Sequence, residues 1–206
     1  MTEQLMLIFT GLALIYTIVS HELGHAYVAY LNGDNTAKNA GRLTLNPLKH
    51  LDLMGTLFLI VFRFGWAKPV PINEANFRNK RRGLFLVSIA GVSINMISAI
   101  LAILIILLFN KQLGVFSTFF EFIAFYGILF AVFNLLPIPP LDGSKILASF
   151  LPNQFKYFIY KYERYFFVLF MIFLLFNRQT GFLFNTTSKI FNFIVHSLVR
   201  ILGNYL

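Results

Sequence analysis

The sequence has no cysteine, and this absence narrows the chemistry that is open to the chain. Disulfide bonds, thiolate metal ligands and cysteine nucleophiles are all excluded, so any metal ion must be bound by His, Asp or Glu. Charged residues are also scarce at 12% of the 206 residues, whereas an ordinary soluble domain has roughly 25%. The chain therefore carries too little charge to cover the surface of a water-soluble domain.

Hydrophobic residues take the place of the missing charge. They make up 58% of the chain and include 26 Phe residues, more than a small water-facing core could bury. A lipid bilayer is the natural solvent for such a surface, and helices that cross it satisfy their own backbone hydrogen bonds. The composition therefore predicts an all-α polytopic membrane protein with about five to six transmembrane or re-entrant segments.

The net charge of +9 comes mainly from Lys and Arg that flank the apolar segments. This distribution is typical of the positive-inside bias, and no basic stripe with interleaved aromatic residues indicates a nucleic-acid partner. Segments 34–50, 67–82 and 138–164 carry most of these cations, and they share one face of the membrane if the short run 51–64 is re-entrant. We therefore expect a multi-pass protein of the cell membrane with this basic face in the cytoplasm and the N-terminus outside.

The apolar pattern sets the expected helices. It predicts them over 5–31, 83–109, 115–136, 141–151, 155–176 and 182–206. The first lacks a basic n-region and a small-residue cleavage site, so we interpret it as a retained helix rather than a signal peptide. The run 51–64 has the length of a re-entrant or interfacial segment. The last segment fits either a membrane span or an interfacial amphipathic helix.

The first predicted helix contains the sequence His21-Glu22-Leu23-Gly24-His25. Residues at i and i+4 lie on one helical face, so both imidazoles can reach one ion. Glu22 lies about 100° around the helix, where it can act as a general base on a metal-activated water without binding the metal. The alternative is a polar helix end at the lipid headgroups, but ionisable residues are costly in a membrane helix and indicate function.

A zinc site with an open position for water needs a third protein ligand. Without cysteine, Asp142 is the best candidate, because the preceding run Pro137-Ile138-Pro139-Pro140 interrupts a predicted span. Irregular backbone of this kind can lie at membrane depth when it faces protein rather than lipid. The alternative is that Asp142 caps a helix that begins near Ser144.

Together and in this order, the two motifs resemble the site-2 protease family of intramembrane zinc metalloproteases. The metal-binding HExxH pattern of that family matches residues 21–25, and its NxxPxxxLDG pattern matches residues 134–143. The resemblance implies that His21, His25 and Asp142 bind Zn2+ and that Glu22 is the catalytic carboxylate.

Further stretches resemble the short bacterial-type members that carry no PDZ or CBS domain. They are residues 41–47, residues 65–71, Ala90-Gly91 and Asn95. Members of the family often have proline after the Ala-Gly pair, where this chain has Val92. We expect that departure to alter helix packing rather than metal chemistry.

Two amides and one loop are candidates for substrate binding. Asn95 and Asn134 lie in predicted membrane helices, where an amide binds either the substrate or a neighbouring helix. Residues 66–71 could form an edge to which an unwound substrate adds as a strand, or an ordinary interfacial loop. His50 and Asp52 could support a metal ligand from behind, although an interfacial role fits their loop position better.

These features predict a metalloprotease core over 1–151, built on three catalytic helices, followed by C-terminal membrane helices over 152–206. The predicted activity is zinc-dependent hydrolysis of membrane-anchored proteins near the cytoplasmic side, with Glu22 as general base. The partners would be those substrates and the lipid bilayer, and the sequence indicates no particular oligomeric state. The alternative is a zinc-binding membrane scaffold or a transporter without catalytic activity.

Overall fold

The computed structural model describes residues 2–52, 54, 55, 57 and 67–202. Within this part of the chain the regular structure is helical, which confirms the predicted all-α membrane protein. Its α-helices are α1 (Glu3–Leu31), α2 (Thr36–Asn39), α3 (Lys80–Leu113), α4 (Phe116–Asn134), α5 (Asp142–Phe150), α6 (Asn153–Lys161), α7 (Glu163–Thr180) and α8 (Phe182–Leu202). Two short 3-10 turns, Pro47–Lys49 and Glu74–Asn76, lie in the connection between α2 and α3.

Three of the described helices are long and apolar enough to cross a membrane. They are α1, the part of α3 from Lys80 to Phe109, and α4. Large apolar side chains stand exposed along these helices, Leu7 and Ile8 on α1 among them. A bilayer is the solvent in which such an outer surface is stable.

The three long helices pack closely through small residues. The main cluster of buried side chains includes Ala13 of α1, Ala99 and Ala102 of α3, and Ala124 of α4. Small side chains allow helix backbones to approach each other in a membrane, where packing rather than the hydrophobic effect drives association. The central helix α3 contacts both of its neighbours and thereby brings its polar residues against α1.

The connection between α1 and α3 is tied together by buried polar groups. The carboxylate of Asp34 is fully buried and accepts hydrogen bonds from the backbone N–H of Asn73 at 2.7 Å and from the side chain of Asn76 at 2.9 Å. Further along, Arg42 donates to the carbonyl oxygen of Lys68 at 2.6 Å. These bonds hold residues 67–72, which we call the strap, close to the end of α1.

The structure differs from the predicted helices in the C-terminal region. The predicted helix over 155–176 is two helices, α6 and α7, that separate at Tyr162. Lys156 of α6 forms an ion pair with Glu74, which lies 82 residues earlier in the sequence. The next helix, α7, starts with Glu163, an acidic residue suited to a helix N-terminus. The acidic first turn of α7 therefore favours a new helix start after Tyr162.

Other boundaries differ by a few residues. The predicted last helix ends at Leu202, and residues 203–206 lie outside the described part of the chain. Most of the predicted re-entrant run 51–64 and Trp66 also lie outside it. The two ends of that region meet where Leu51 and Ala67 form an antiparallel β-bridge.

Candidate active site

Two imidazoles and one carboxylate meet where α1, α3 and α5 come together. His21 and His25 lie one turn apart on α1, and Asp142 is the first residue of α5. The Asp142 Oδ2 atom is 3.1 Å from His21 Nε2 and 3.0 Å from His25 Nε2. The two Nε2 atoms are themselves 3.0 Å apart. All three residues are buried, with 6 to 7% of their surface exposed.

This arrangement fits a divalent metal ion. The three atoms surround a single point, yet the buried Asp142 Oδ2 accepts no hydrogen bond from any described residue. Two ligands of a tetrahedral zinc ion with bonds of about 2.0 to 2.2 Å lie roughly 3.3 to 3.6 Å apart, a little more than the 3.0 to 3.1 Å seen here. Two imidazole nitrogens and a carboxylate oxygen also match the ligands of catalytic zinc sites, which leave one position open.

Asp142 owes its position to the backbone after α4. The residue at the N-cap of α5 is Leu141, and no side chain in the described part of the chain caps this helix. The capping role considered for Asp142 is therefore wrong, and its carboxylate faces the two histidines instead. Gly143 makes this placement possible, since a Cβ atom there would overlap the carbonyl oxygens of Leu135 and Leu136.

The central helix α3 orients both imidazole rings. His25 Nδ1 lies 2.7 Å from the Val87 carbonyl oxygen, which can only accept, so the ring donates from Nδ1 and turns Nε2 toward Asp142. His21 Nδ1 lies 3.1 Å from the side-chain amide of Asn95. Outer partners of this kind fix the tautomer and direction of metal-binding histidines.

Gly91 of α3 leaves the space that the two rings occupy. A Cβ atom at this position would lie 2.5 Å from His21 Cε1 and 2.6 Å from His25 Nε2, closer than real Cβ contacts. In the sequence, Gly91 is singled out only because the Ala90-Gly91 pair resembles the corresponding stretch of the site-2 protease family. A glycine inside an apolar helix is the one local signal, because it usually has a packing or functional reason.

The carboxylate of Glu22 is held by the strap. Its Oε2 atom accepts a hydrogen bond of 2.8 Å from the backbone N–H of Val70. Val70 stands between Pro69 and Pro71, neither of which has an N–H group, so this donor is the only one in the three residues. Its side chain packs against Ala26 and Ala37, which fixes the strap on α1.

These groups open into one cavity of about 310 Å³. Its lining includes His21, Glu22, His25, Asn134, Asp142 and Lys145. Each water occupies about 30 Å³ in the liquid, so the cavity can hold water beside the carboxylate. Lys145 Nζ lies 3.9 Å from Asp142 Oδ1, whereas the two histidines contact the other carboxylate oxygen, Oδ2.

The remaining candidate residues are divided between the cavity and its surroundings. Asn134 lines the cavity and donates from its amide to the Phe130 carbonyl oxygen at 3.0 Å. Asn95 is not among the described residues that line it. His50 is fully buried and pairs with the Thr44 carbonyl oxygen at 2.8 Å, while Asp52 accepts from the Gly55 N–H. These two contacts lie within the loop itself.

Comparisons with known proteins agree with this geometry. The chain is 42% identical over 169 residues to YwhC of Bacillus subtilis, which is named as a candidate zinc metalloprotease, and the match covers 78% of this chain and 77% of that protein. It is 32% identical over 143 residues to Rip2 of Mycolicibacterium smegmatis and 33% identical over 144 residues to Rip2 of Mycobacterium tuberculosis, both named in the same way.

These alignments cover 66% of this chain and 55% of each Rip2 protein, so the match spans about half of those relatives. No solved structure matches the chain. The model of peptidase family M50 matches residues 9–177, a stretch that contains both histidines and Asp142. The chain therefore belongs to peptidase family M50, the site-2 protease family, and is a membrane-associated peptidase by its family and its apolar helices.

Proposed function

We propose that this protein is a zinc endopeptidase that hydrolyses peptide bonds of membrane-anchored proteins within or next to the bilayer. The observation that carries the proposal is the convergence of His21, His25 and Asp142 beside the carboxylate of Glu22, at the end of an apolar helix. Membership of a peptidase family and relatives named as candidate zinc metalloproteases support it.

His21, His25 and Asp142 would hold the zinc ion. Zinc in such a site polarises a carbonyl group and lowers the pKa of water to about 7. Glu22 lies on the next position of the helix from His21, with its carboxylate in the same cavity and its Oε2 atom on Val70. It is therefore placed to act on a water molecule without being one of the three converging ligands.

Glu22 then has two successive tasks. As general base it accepts a proton from water while the water oxygen forms a bond to the substrate carbonyl carbon. As general acid it returns the proton to the amide nitrogen while the carbon–nitrogen bond breaks, so one water is consumed and a carboxyl and an amino terminus result. The Val70 N–H keeps the carboxylate directed into the cavity throughout.

The strap and Asn134 would contact the substrate backbone. A peptide must be extended for its scissile bond to be attacked, and pairing with an enzyme segment would hold it so. Because Pro69 and Pro71 lack N–H groups and the Val70 N–H is bonded to Glu22, these three residues offer a substrate only carbonyl acceptors. Substrate N–H groups would therefore be the donors here, with Asn134 as a second polar contact at the cavity wall.

The active site would face the cytoplasm in the cell membrane. Val87, which bonds to His25, lies seven residues into α3, or about 10 Å along the helix from Lys80 at 1.5 Å per residue. The site is thus close to the end of α3 where residues 78–82 carry Arg and Lys. The positive-inside rule assigns that end to the cytoplasm.

The test is cleavage of a set of single-span membrane proteins by purified protein in detergent, with zinc content measured in parallel. Glu22→Gln keeps an oxygen that can accept from Val70 but removes the base, so we expect cleavage to fall by about 10²- to 10⁴-fold while zinc is retained. The matched control is Glu74→Gln, the same change at a carboxylate on the rim of the cavity that is paired with Lys156.

The possible outcomes separate the alternatives. Cleavage retained in Glu22→Gln would rule out the assigned general base. Wild-type protein without zinc would overturn the metalloprotease proposal as a whole. Zinc bound by both proteins, with cleavage of none of the substrates, would favour the scaffold or transporter.

A further inference from the structure

The side-chain amide of Asn95 stands in an unusual position. It lies in the middle of α3 with 1% of its surface exposed, and one of its terminal atoms is 3.1 Å from His21 Nδ1. That atom is placed as the amide nitrogen, and the amide oxygen has no hydrogen-bond partner among the described residues. Nitrogen and oxygen of an amide are distinguished by their hydrogen-bond network rather than by position, so the partner must decide which atom faces the ring.

The chemistry of His21 indicates which atom of the Asn95 amide faces its ring. Its Nε2 atom faces Asp142 Oδ2 and His25 Nε2. A nitrogen that binds a metal needs its lone pair, so a neutral imidazole that binds through Nε2 carries its proton on Nδ1. This N–H requires an acceptor, and an amide nitrogen cannot serve as one. The oxygen of Asn95 can.

We propose that Asn95 is a positioning residue whose amide oxygen accepts the Nδ1–H of His21 and thereby holds Nε2 toward the metal. The proposal rests on the proposed zinc site. The second imidazole already has the corresponding arrangement, because His25 donates from Nδ1 to the Val87 carbonyl oxygen at 2.7 Å. One helix, α3, thus supplies the acceptor for both rings, once from its backbone and once from a side chain.

Two other roles for Asn95 fit the structure less well. A substrate contact would require it at the cavity wall, and it is not among the described residues there, whereas Asn134 is. A bond that merely holds α3 to α1 already exists one turn away, where Ser98 and Tyr16 share a hydrogen bond of 3.0 Å. The contact of Asn95 is instead directed at a ring nitrogen of a proposed metal ligand.

The experiment measures zinc affinity by competition with a chelator on purified protein in detergent. Asn95→Leu removes the acceptor at similar volume, and we expect zinc affinity to fall about 10- to 100-fold, as is typical when the outer partner of a metal-binding histidine is lost. Asn95→Ala is expected to give the same loss. Asn95→Asp keeps an oxygen at the same place, so it is expected to bind zinc within a few-fold of wild type.

The control is Ser98→Ala, which removes a different side-chain hydrogen bond between the same two helices without touching His21. It is expected to leave zinc affinity unchanged. Thermal unfolding of each variant, followed in the same detergent, identifies any protein that has lost its fold. Asn95→Asp distinguishes the two possible roles of the amide most directly, because it keeps an acceptor oxygen and removes the N–H donors.

The zinc affinities of these variants decide whether Asn95 positions His21. Leu and Ala variants that bind zinc as tightly as wild type would overturn the proposal, as would an Asp variant no better than they are, since the amide would then act through its nitrogen. A raised KM with unchanged zinc affinity would overturn it in favour of substrate binding. Wild-type protein that binds no zinc would refute the proposed function, a result that differs from each of these.

Discussion

At the scale of single residues, the candidate site depends on α3 as much as on the paired histidines. His21 and His25 lie on one face of α1 by their spacing, but their rings could still turn in several directions. The Val87 carbonyl oxygen and the Asn95 amide limit those directions, and the absence of a side chain at Gly91 leaves room for them. A histidine pair alone therefore does not define this metal site.

Gly91→Ala should disturb the metal site directly. The added methyl group would lie 2.5 to 2.7 Å from atoms of His21 and His25, so at least one ring must move away from the common point. We expect zinc affinity to fall by at least about 10- to 100-fold, with a parallel loss of cleavage, measured by chelator competition and substrate assay.

The matched control is Gly11→Ala in α1, where an added Cβ would meet nothing within 4 Å. It makes the same chemical change in another membrane helix and should leave zinc binding as it is. Equal zinc affinity in the two variants would mean that the rings have more freedom than this packing indicates.

At the scale of elements, the strap braces the carboxylate of Glu22, the proposed general base. Its Lys68 N–H donates to the His50 carbonyl oxygen at 2.9 Å, and its Lys68 carbonyl oxygen accepts from Arg42 at 2.6 Å. The next backbone N–H group of the strap, that of Val70, donates to the Glu22 carboxylate at 2.8 Å. The strap is thus anchored on one side to its own loop and on the other to the active site.

Val70→Pro tests this brace by removing a single N–H group. Val70 precedes a proline and is therefore already biased toward extended conformations, which proline tolerates. A hydrogen bond to a charged group contributes about 1.5 to 3 kcal/mol, so we expect cleavage to fall about 10- to 100-fold while zinc content stays at the wild-type level.

Val70→Ala is the control, because it also shortens the buried side chain but keeps the N–H. It should retain most of the activity that the proline variant loses. If both variants lost activity equally, packing of the strap rather than its hydrogen bond to Glu22 would be the cause.

Asp34 links the end of α1 to the segment that leads into α3, and its charge should make folding depend on pH. Burial raises the pKa of Asp34, but hydrogen bonds from Thr36, Asn73 and Asn76 outweigh it and hold the pKa below its usual value. A lowered pKa in the folded state stabilises the protein above the ordinary Asp pKa of about 3.9. This contribution is lost as the pH falls through the folded-state pKa.

Asp34→Asn should therefore be destabilised at neutral pH by about 1 to 3 kcal/mol, since an amide nitrogen would face groups that donate. Thermal unfolding in detergent between neutral and acidic pH is the measurement, and the gap between variant and wild type should narrow as the pH falls. The exposed Glu3→Gln is the control. A gap that does not change with pH would show that the charge of Asp34 plays no part.

At the scale of the whole molecule, the active site lies nearer to one end of the helix bundle. The ring contacts of α3 begin at Val87, about 10 Å from its basic start, whereas α3 continues as far as Leu113. The strap and the Asp34 network lie at the same end of α1. If the proposed function is correct, a substrate helix is expected to be cut close to one membrane surface, where water is near.

The orientation of this end can be tested because the chain has no cysteine. Arg81→Cys places a single thiol at the exposed basic start of α3, and Gln112→Cys places one near its other end, also exposed. In intact cells an impermeant maleimide should label the thiol at position 112, and it should label that at position 81 only after permeabilisation. The reverse pattern would contradict a cytoplasmic active site.

The sequence by itself determined much of this protein, namely its membrane character, its long helices and the family to which it belongs. These features rest on composition, on runs of apolar residues and on motifs whose members lie close together in the chain. The spacing of His21 and His25 predicted a shared face, and the structure places them on one turn of α1 with Asp142 against both.

Only the tertiary structure decided how those residues are held. The partners of His25, His21 and Glu22 lie 62, 74 and 48 residues away along the chain, in α3 and in the strap. No local pattern encodes such pairs, because they depend on how helices rotate and pack against each other. The prediction also joined α6 and α7 into one helix, because residues 155–176 contain no proline or glycine at which a helix would be expected to end.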